Sequence, residues 1–232
     1  MPIYQLPKQL VFPNPNLADE SGILAIGGDL SPKRLLLAYQ NGIFPWFNEQ
    51  DPILWWSPDP RMVLFPSQLV IAKSMRSIFN QKKFRISVNE NFRAVMQNCG
   101  QMPRQGQNGT WISPQMLDAY QNLHELGFAH SVEAWQNNEL VGGLYGIILG
   151  KCFFGESMFS NVTNASKAAF ITLIKNLEAQ GFELIDCQVY TQHLESLGAK
   201  LINRSLFLDL LKKNMGEKYD LAKYFEPQIK IL

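Results

Sequence analysis

Apolar positions recur along this chain at two spacings. Stretches of period 3.6 give way to short continuous or alternating apolar runs, and each change predicts a new element. "LSPKRLLLAYQNG" predicts a helix with Ser31 as N-cap, Pro32 in the first turn and Gly42 as terminator. A helix is predicted over residues 67–80, a strand near 84–88 and a short helix over 90–98. "SPQMLDAYQNLHELG" starts at Ser113-Pro114 and ends at Gly127, with Met116, Leu117, Tyr120 and Leu123 on one face. Strands follow at roughly 130–136, 139–149 and 151–155, the first two joined by the turn residues "QNN". A long helix, "NASKAAFITLIKNLEAQG", runs from a cap at Asn164 to Gly181. It leads into a strand over 182–189, a short helix over 191–197 and a last amphipathic helix, "RSLFLDLLKKN".

This order of strands and helices predicts an α/β (α+β) fold with a mixed sheet covered by helices. The strands at 151–155 and 182–189, joined by one long helix, predict a right-handed parallel crossover. Such a unit is compatible with an acyltransferase-like fold. The first sixty-odd residues differ in character. "GIFPWFNEQDPILWWSPDPR" is broken by Pro45, Pro52, Pro58 and Pro60 and cannot hold regular structure for long. Two domains are therefore expected: a small N-terminal domain over 1–63 and a larger one over 64–232.

Composition adds boundaries to this picture. The 232 residues are 46% hydrophobic and 18% charged, which suits a globular chain with a substantial core. No apolar run is long enough to span a bilayer, and the opening "MPIYQLPKQL" has no signal-peptide core. A cytoplasmic protein is expected, with Cys99, Cys152 and Cys187 as free, mostly buried thiols. No CxxC or HExxH spacing occurs, and His124, His130 and His193 form no metal signature, so no metal is expected. The net charge of +1 does not point to nucleic acid, but "AKSMRSIFNQKKFR" gathers Lys73, Arg76, Lys82, Lys83 and Arg85 without an acidic residue. That run reads either as a solvated helix face or as a phosphate-tracking patch.

The residue that demands an explanation is Asp186, a carboxylate inside the apolar strand of "FELIDCQV". A charge there costs several kcal/mol unless it is paired, hydrogen-bonded or protonated. Alternation places Leu184, Asp186 and Gln188 on one face and Ile185, Cys187 and Val189 on the other. If the second set is the core face, Asp186 and Gln188 point together at the opposite side. Glu156 in "GESMFS" is expected just past the end of the preceding strand, at the carboxyl edge where ligands of such sheets bind. The structural alternative makes Asp186 a helix cap or the partner of an arginine. Phe153, Phe154, Met158 and Phe159 read as a pocket lining or as core. Ser157 and Ser160 lack the G-x-S-x-G context of a nucleophile. Trp55 and Trp56 read mainly as rings pinning loops, whereas Trp46 in "GIFPWF" and Trp111 in "NGTWIS" are placed to offer ring faces to a planar ligand such as a nucleobase.

Taken together, "GGDLSPKRLLLAYQNGIFPWF", "DPILWWSPDPR", "GTWIS", "AHSVE", "LVGGLYG", "FGESMFS", "NASKAA" and "LIDCQV" resemble the bacterial leucyl/phenylalanyl-tRNA–protein transferases. The motifs are long, ordered and spread from about residue 20 to residue 200. The resemblance implies two domains, the larger with a GNAT-like acyltransferase fold. It implies transfer of leucine or phenylalanine, and methionine less well, from aminoacyl-tRNA to the α-amine of proteins beginning with Arg or Lys. The product feeds N-end-rule degradation, without metal or coenzyme. Carried over by motif, Asp186 and Gln188 are the expected catalytic pair, supported by Glu156. Phe153 and Leu144, with Met158, are expected in the amino-acid pocket, Leu144 standing where relatives often have Met. Trp46 and Trp111 are expected to position the terminal adenosine, and Lys73, Arg76, Lys82, Lys83 and Arg85 to meet the tRNA.

The chemistry suits these groups. The donor ester is already activated, and an α-amine with pKa of about 7.7–8.0 is partly neutral near pH 7. Positioning and oxyanion stabilisation then matter more than a strong base. Asp186 is expected to orient the amine and shuttle its proton, with Gln188 beside it. Two other readings share these residues. An acyl-coenzyme A-dependent N-acyltransferase of the same fold would need a pyrophosphate loop, and "ESMFSNVTNASKAA" has no such glycine pattern. A non-catalytic RNA-binding module would leave Glu156, Asp186 and Gln188 without a purpose.

Overall fold

Residues 3–102, 112–216 and 219–229 are described here by a computed structural model. In chain order its elements are β1 (Tyr4–Leu6), β2 (Ile23–Gly27), α1 (Pro32–Gln40), β3 (Phe44–Pro45), β4 (Leu54–Trp56) and β5 (Arg61–Leu64). Then come α2 (Lys73–Asn80), β6 (Arg85–Val88), α3 (Phe92–Gln101), α4 (Pro114–Glu125), β7 (Ala129–Gln136) and β8 (Glu139–Leu149). The chain continues through β9 (Cys152–Ser160), α5 (Ala165–Ala179), β10 (Leu184–Gln188), α6 (Gln192–Glu195), β11 (Lys200–Ile202), α7 (Arg204–Asn214) and α8 (Leu221–Tyr224). Among the described residues no helix is long and apolar enough to cross a membrane.

The fold is mixed α/β, with two sheets. A small sheet of order β1-β2-β4-β3 uses residues before Ser57, and a seven-stranded sheet runs β11-β5-β10-β9-β8-β7-β6. β9 and β10 are parallel, and α5 makes the crossover between them. All other pairs in the large sheet are antiparallel. β5 spans the expected boundary at residue 63, so the chain enters the large sheet at Arg61. The prolines before Arg61 hid this four-residue strand from a reading of periodicity.

Side-chain alternation divides the core in two. From β8, Tyr145, Ile147 and Leu149 join a cluster with Leu24, Tyr39, Trp55, Phe92, Tyr120 and Phe207, which also draws in the small sheet. Leu144 and Ile148 face the other way, toward Phe153, Ile171, Ile174 and Ile185. The large sheet is thus buried on both faces, which is why its strands read as continuous apolar runs.

Three elements differ from expectation for local reasons. The helix predicted from 67 begins only at Lys73, after a 3₁₀ turn at Pro66–Gln68. There the Val70 N–H donates to the Leu197 carbonyl, so the intervening backbone is committed to a loop contact. Asn164 occupies the N-cap position of α5 in a left-handed conformation (φ 71°) and makes no side-chain cap. β9 does not stop at 155 but pairs with β8 through Ser160.

Gly146 allows that pairing to tighten. A Cβ there would collide with the Phe154 carbonyl oxygen and the Phe153 ring. Gly146→Ala is expected to lower the urea midpoint, with a loss of about 1–3 kcal/mol typical of overpacking. A midpoint equal to the parent's would show that β8 and β9 are not held this closely.

Candidate active site

The site begins where β9 and β10 separate. Their parallel register runs Leu184 to Cys152, Ile185 to Phe153 and Asp186 to Phe154, and ends there. Each strand carries a bulge at that level. On β9, Gly155 pairs with Gly146 and Ser157 with Tyr145, so Glu156 is the extra residue. On β10, Asp186 pairs with Val63 and Gln188 with Met62, so Cys187 is the extra residue. Bulges re-aim side chains, and these turn Glu156 and Gln188 toward each other. Gln188 Nε2 donates to Glu156 Oε1 at 2.9 Å across the gap. Gln188 achieves this with φ 63°, a left-handed conformation unfavourable for a side-chain-bearing residue.

Asp186 holds that conformation in place. Its Oδ1 accepts the Gln188 backbone N–H at 2.9 Å. Arg61 donates to the same carboxylate through Nε at 2.8 Å and Nη2 at 2.7 Å, and both side chains are buried. The guanidinium lies between the Phe44 and Phe207 rings, 4.8 Å and 4.6 Å from their centroids. This corrects the expectation that Asp186 faces substrate. The face it shares with Leu184 is a second core rather than an open side, so its charge is neutralised by an arginine. Asp186 does not line the cavity; Gln188 does.

Glu156 is the carboxylate that faces the cavity. Its Oε1 accepts from Tyr39 Oη at 2.7 Å as well as from Gln188, and its Oε2 accepts from Tyr120 Oη at 2.9 Å. The two tyrosine oxygens also lie in short contact with each other. Burial raises the Glu156 carboxyl from 4.5 to about 7. The tyrosine and glutamine donors pull it back, and the Asp186 charge adds to the rise. Burial and the Glu156 charge push both tyrosines well above 10, so their hydroxyls remain donors at neutral pH. Burial also raises the Cys152 and Cys187 thiols, which removes them as nucleophiles.

The cavity has a volume of about 560 Å³, in the range of small-molecule sites. Leu144, Phe153 and Met158, expected at the amino-acid pocket, all line it, and Leu144 pairs directly opposite Met158. Phe170, Ile185 and Cys187 extend the apolar wall. Trp46 lies at the cavity with Phe44 and Pro45, half-buried and tilted against Trp56 at 5.3 Å. Trp56 Nε1 donates to the Trp46 carbonyl at 2.6 Å, while Trp55 is fully buried with its Nε1 on the Gly27 carbonyl. Trp111 lies outside the described residues.

The basic residues do not reach this cavity. Lys73 and Arg76 are exposed on α2, and Lys82, Lys83 and Arg85 border a shallow cleft with Trp135 and Asn137. β6, which carries Arg85, lies three strands from β9, a distance of about 14 Å at ordinary strand spacing. Arg85 is not a free cation: it forks onto Glu90 at 2.6 Å and 3.0 Å, a partner just beyond the acid-free run. Sequence reasoning missed Tyr39, Tyr120 and Arg61. The tyrosines sit on buried helix faces, where nothing in the pattern separates a core ring from one whose hydroxyl reaches a carboxylate. Among the described residues no group of three His, Cys, Asp or Glu side chains is placed to hold a metal.

Comparison with known proteins gives the geometry its relatives. The family model for leucyl/phenylalanyl-tRNA protein transferase matches residues 63–212, and that for the family's N-terminal domain matches 28–59. The leucyl/phenylalanyl-tRNA–protein transferase of Flavobacterium johnsoniae is 60% identical over 90% of this chain and 99% of its own. That of Syntrophus aciditrophicus is 55% identical over 93% of this chain and 90% of its own. Among solved structures, the L-PGS of Bacillus licheniformis is 13% identical, with a TM-score of 0.40 over 78% of this chain and 60% of that one.

Two outcomes follow from the buried charges. Arg61→Met strands the Asp186 carboxylate and should cost about 3–5 kcal/mol in urea unfolding, with Arg61→Met/Asp186→Leu recovering a large part. No recovery would mean that the pair is not an isolated electrostatic unit. For Glu156 the sign is opposite to that of a paired carboxylate. Below pH 4.5 folded and unfolded chains both hold the proton, and between 4.5 and about 7 only the unfolded chain releases it. Glu156 therefore costs stability progressively through that window. Glu156→Gln should gain on the parent as pH rises from 4.5 to about 7, and a pH-independent difference in urea midpoints would refute the raised carboxyl.

Proposed function

The chain belongs to the leucyl/phenylalanyl-tRNA–protein transferase family, enzymes that pass an amino acid from aminoacyl-tRNA to a protein, and we propose that its donors are leucyl- and phenylalanyl-tRNA, with methionyl-tRNA used less well. The acceptors are cytoplasmic proteins whose first residue is Arg or Lys, and the product's new N-terminus feeds N-end-rule degradation. The observation that carries this reading is Glu156, a half-buried carboxylate held by three donors beside an apolar cavity where two parallel strands part.

In this reading the donor's side chain lies against Leu144, Phe153 and Met158, with Trp46 beside the terminal adenosine. The basic residues Lys73 and Arg76 of α2 and Lys82, Lys83 and Arg85 at the cleft beside β6 meet the body of the tRNA. Three of Glu156's roughly four acceptor directions are occupied, which leaves room for one N–H from the attacking amine. The amine nitrogen attacks the ester carbonyl, the carbon–oxygen bond to ribose breaks, and the amine's proton ends on the ribose oxygen. A carboxyl near 7 suits the transit of that proton, because it neither holds nor refuses it strongly at neutral pH. Gln188 fixes the Glu156 oxygen that faces it. Asp186 acts one step removed, by holding Gln188.

The test supplies purified protein with leucyl-tRNA and a peptide beginning with Arg, with acetyl-coenzyme A as the competing donor. Leucine transfer without acetylation is expected, and Glu156→Gln should slow it by about 10²–10⁴-fold, the usual weight of a positioned proton carrier. The parent's rate should rise with pH through about 7, and Glu156→Gln should lose that limb and keep only the rise that the acceptor amine itself gives at about 7.7–8.0. A parent protein that acetylates the peptide, or transfers no leucine, overturns the reading.

A further inference from the structure

A second polar feature, His193 at the cavity wall with Lys167 near it, takes no part in the chemistry above. Phe170 of α5 lines the cavity, and Lys167 lies one helical turn before it on the same face. Lys167 is half-buried and forms no ion pair among the described residues. His193 of α6 lines the same cavity, and its Nε2 is shielded from water without a hydrogen-bond partner among the described residues. That nitrogen is left open to a partner from outside the chain. Burial, and then the Lys167 charge, hold the imidazole below its ordinary 6.5, so it is neutral near pH 7. One tautomer of the neutral ring makes Nε2 a donor. The start of α5 does not provide this site by itself, because the Ala165 and Ser166 N–H groups are already bound to Val162 O and Ser160 Oγ.

We propose that Lys167 and His193 form an anion subsite for the phosphate that immediately precedes the esterified adenosine of the donor. The inference rests on the reading that the donor is an aminoacyl-tRNA, and it adds where the donor's backbone leaves the cavity. Charge sorts the two substrates. The acceptor brings an amine and, in that reading, a cationic first side chain, both repelled by an unpaired lysine. The donor brings phosphate. With the acyl group against the apolar wall and the ester beside Glu156, the ribose lies at the mouth and its 5′ substituent passes outward. An ammonium without a carboxylate partner among the described residues is left to face that substituent, and a neutral imidazole adds a donor without a second desolvated charge.

The test compares two minimal donors that differ by one phosphate, 3′-O-leucyl adenosine and 3′-O-leucyl adenosine 5′-phosphate, each with a peptide beginning with Arg. The parent should show a lower KM for the phosphorylated donor, by about tenfold, the worth of one charge-assisted hydrogen bond. Lys167→Met should make the two donors equivalent, and Lys167→Arg should keep them distinct. His193→Leu should narrow the gap and His193→Gln, which retains an N–H donor, should restore it. With leucyl-tRNA, Lys167→Met should flatten the salt dependence of log KM by about 0.7, one single-strand phosphate contact. Equal KM values in the parent, or a gap that survives Lys167→Met, would overturn the subsite. Failure of the parent to use either donor while it transfers leucine from tRNA would do the same. Failure with tRNA as well would sink the functional reading itself.

Discussion

The Arg61–Asp186 pair is the constraint on which the site depends. Two full charges sit where the sheet is covered on both sides, a place whose desolvation cost is repaid only by close bidentate geometry and further hydrogen bonds. Both conditions are met. The fork is 2.7–2.8 Å long, aromatic rings cover the guanidinium, and the spare capacity of Oδ1 goes to the Gln188 N–H. That last bond matters most. It fixes a non-glycine residue in a left-handed conformation, and without it β10 has no reason to swing Gln188 across to β9. The pair also ties β5 to β10, so the entry of the chain into the large sheet and the geometry of the site are set by one contact.

From this follows a division of labour between two carboxylates. Asp186 is neutralised by a cation and turned into a core. Glu156 is surrounded by neutral donors, so burial can raise its carboxyl to about 7 where a nearby arginine would have pulled it down. Tyr39 comes from α1, Tyr120 from α4 and Gln188 from β10, so three elements must dock before Glu156 is satisfied. The small sheet's region contributes one of the three through α1. The N-terminal part of the chain is therefore a component of the site, and its packing against the large sheet is not merely a lid on the core.

The alternation of helices and strands was legible because both sheet faces and the helix stripes are strongly apolar and the caps at Ser31 and Ser113 obey local rules. The motifs singled out Glu156, Asp186 and Gln188, and the structure brings the three together where β9 and β10 part. Their roles were not legible, for a physical reason. The alternation argument assumed one buried face of β10, whereas its apolar residues are buried on both, and a bulge at Cys187 breaks the period of two in any case. A bulge leaves no mark in a sequence of this kind, and neither does β5, compressed between a proline-rich loop and a 3₁₀ turn. Arg61 was therefore invisible as a partner 125 residues from Asp186. The hydroxyls of Tyr39 and Tyr120 were hidden by the apolar rings that carry them.

The apolar wall and the polar cluster also explain each other. An apolar pocket alone discriminates weakly between side chains of similar size, since a methylene more or less is worth only about 1–3 kcal/mol. A carboxylate whose acceptor directions are nearly all filled adds a stricter demand, because a ligand that approaches without an N–H leaves the last direction without a partner from the ligand. In the proposed function, selectivity for an amino-acid ester and an incoming amine draws on this conjunction as well as on charge. The same enclosure that raises Glu156 makes each of its hydrogen bonds count for more than it would in water, so moving Gln188 would weaken acidity, geometry and selectivity together. That coupling is why a strained residue in the strand is tolerable: its cost is local, and what it holds in register is the whole polar end of the cavity.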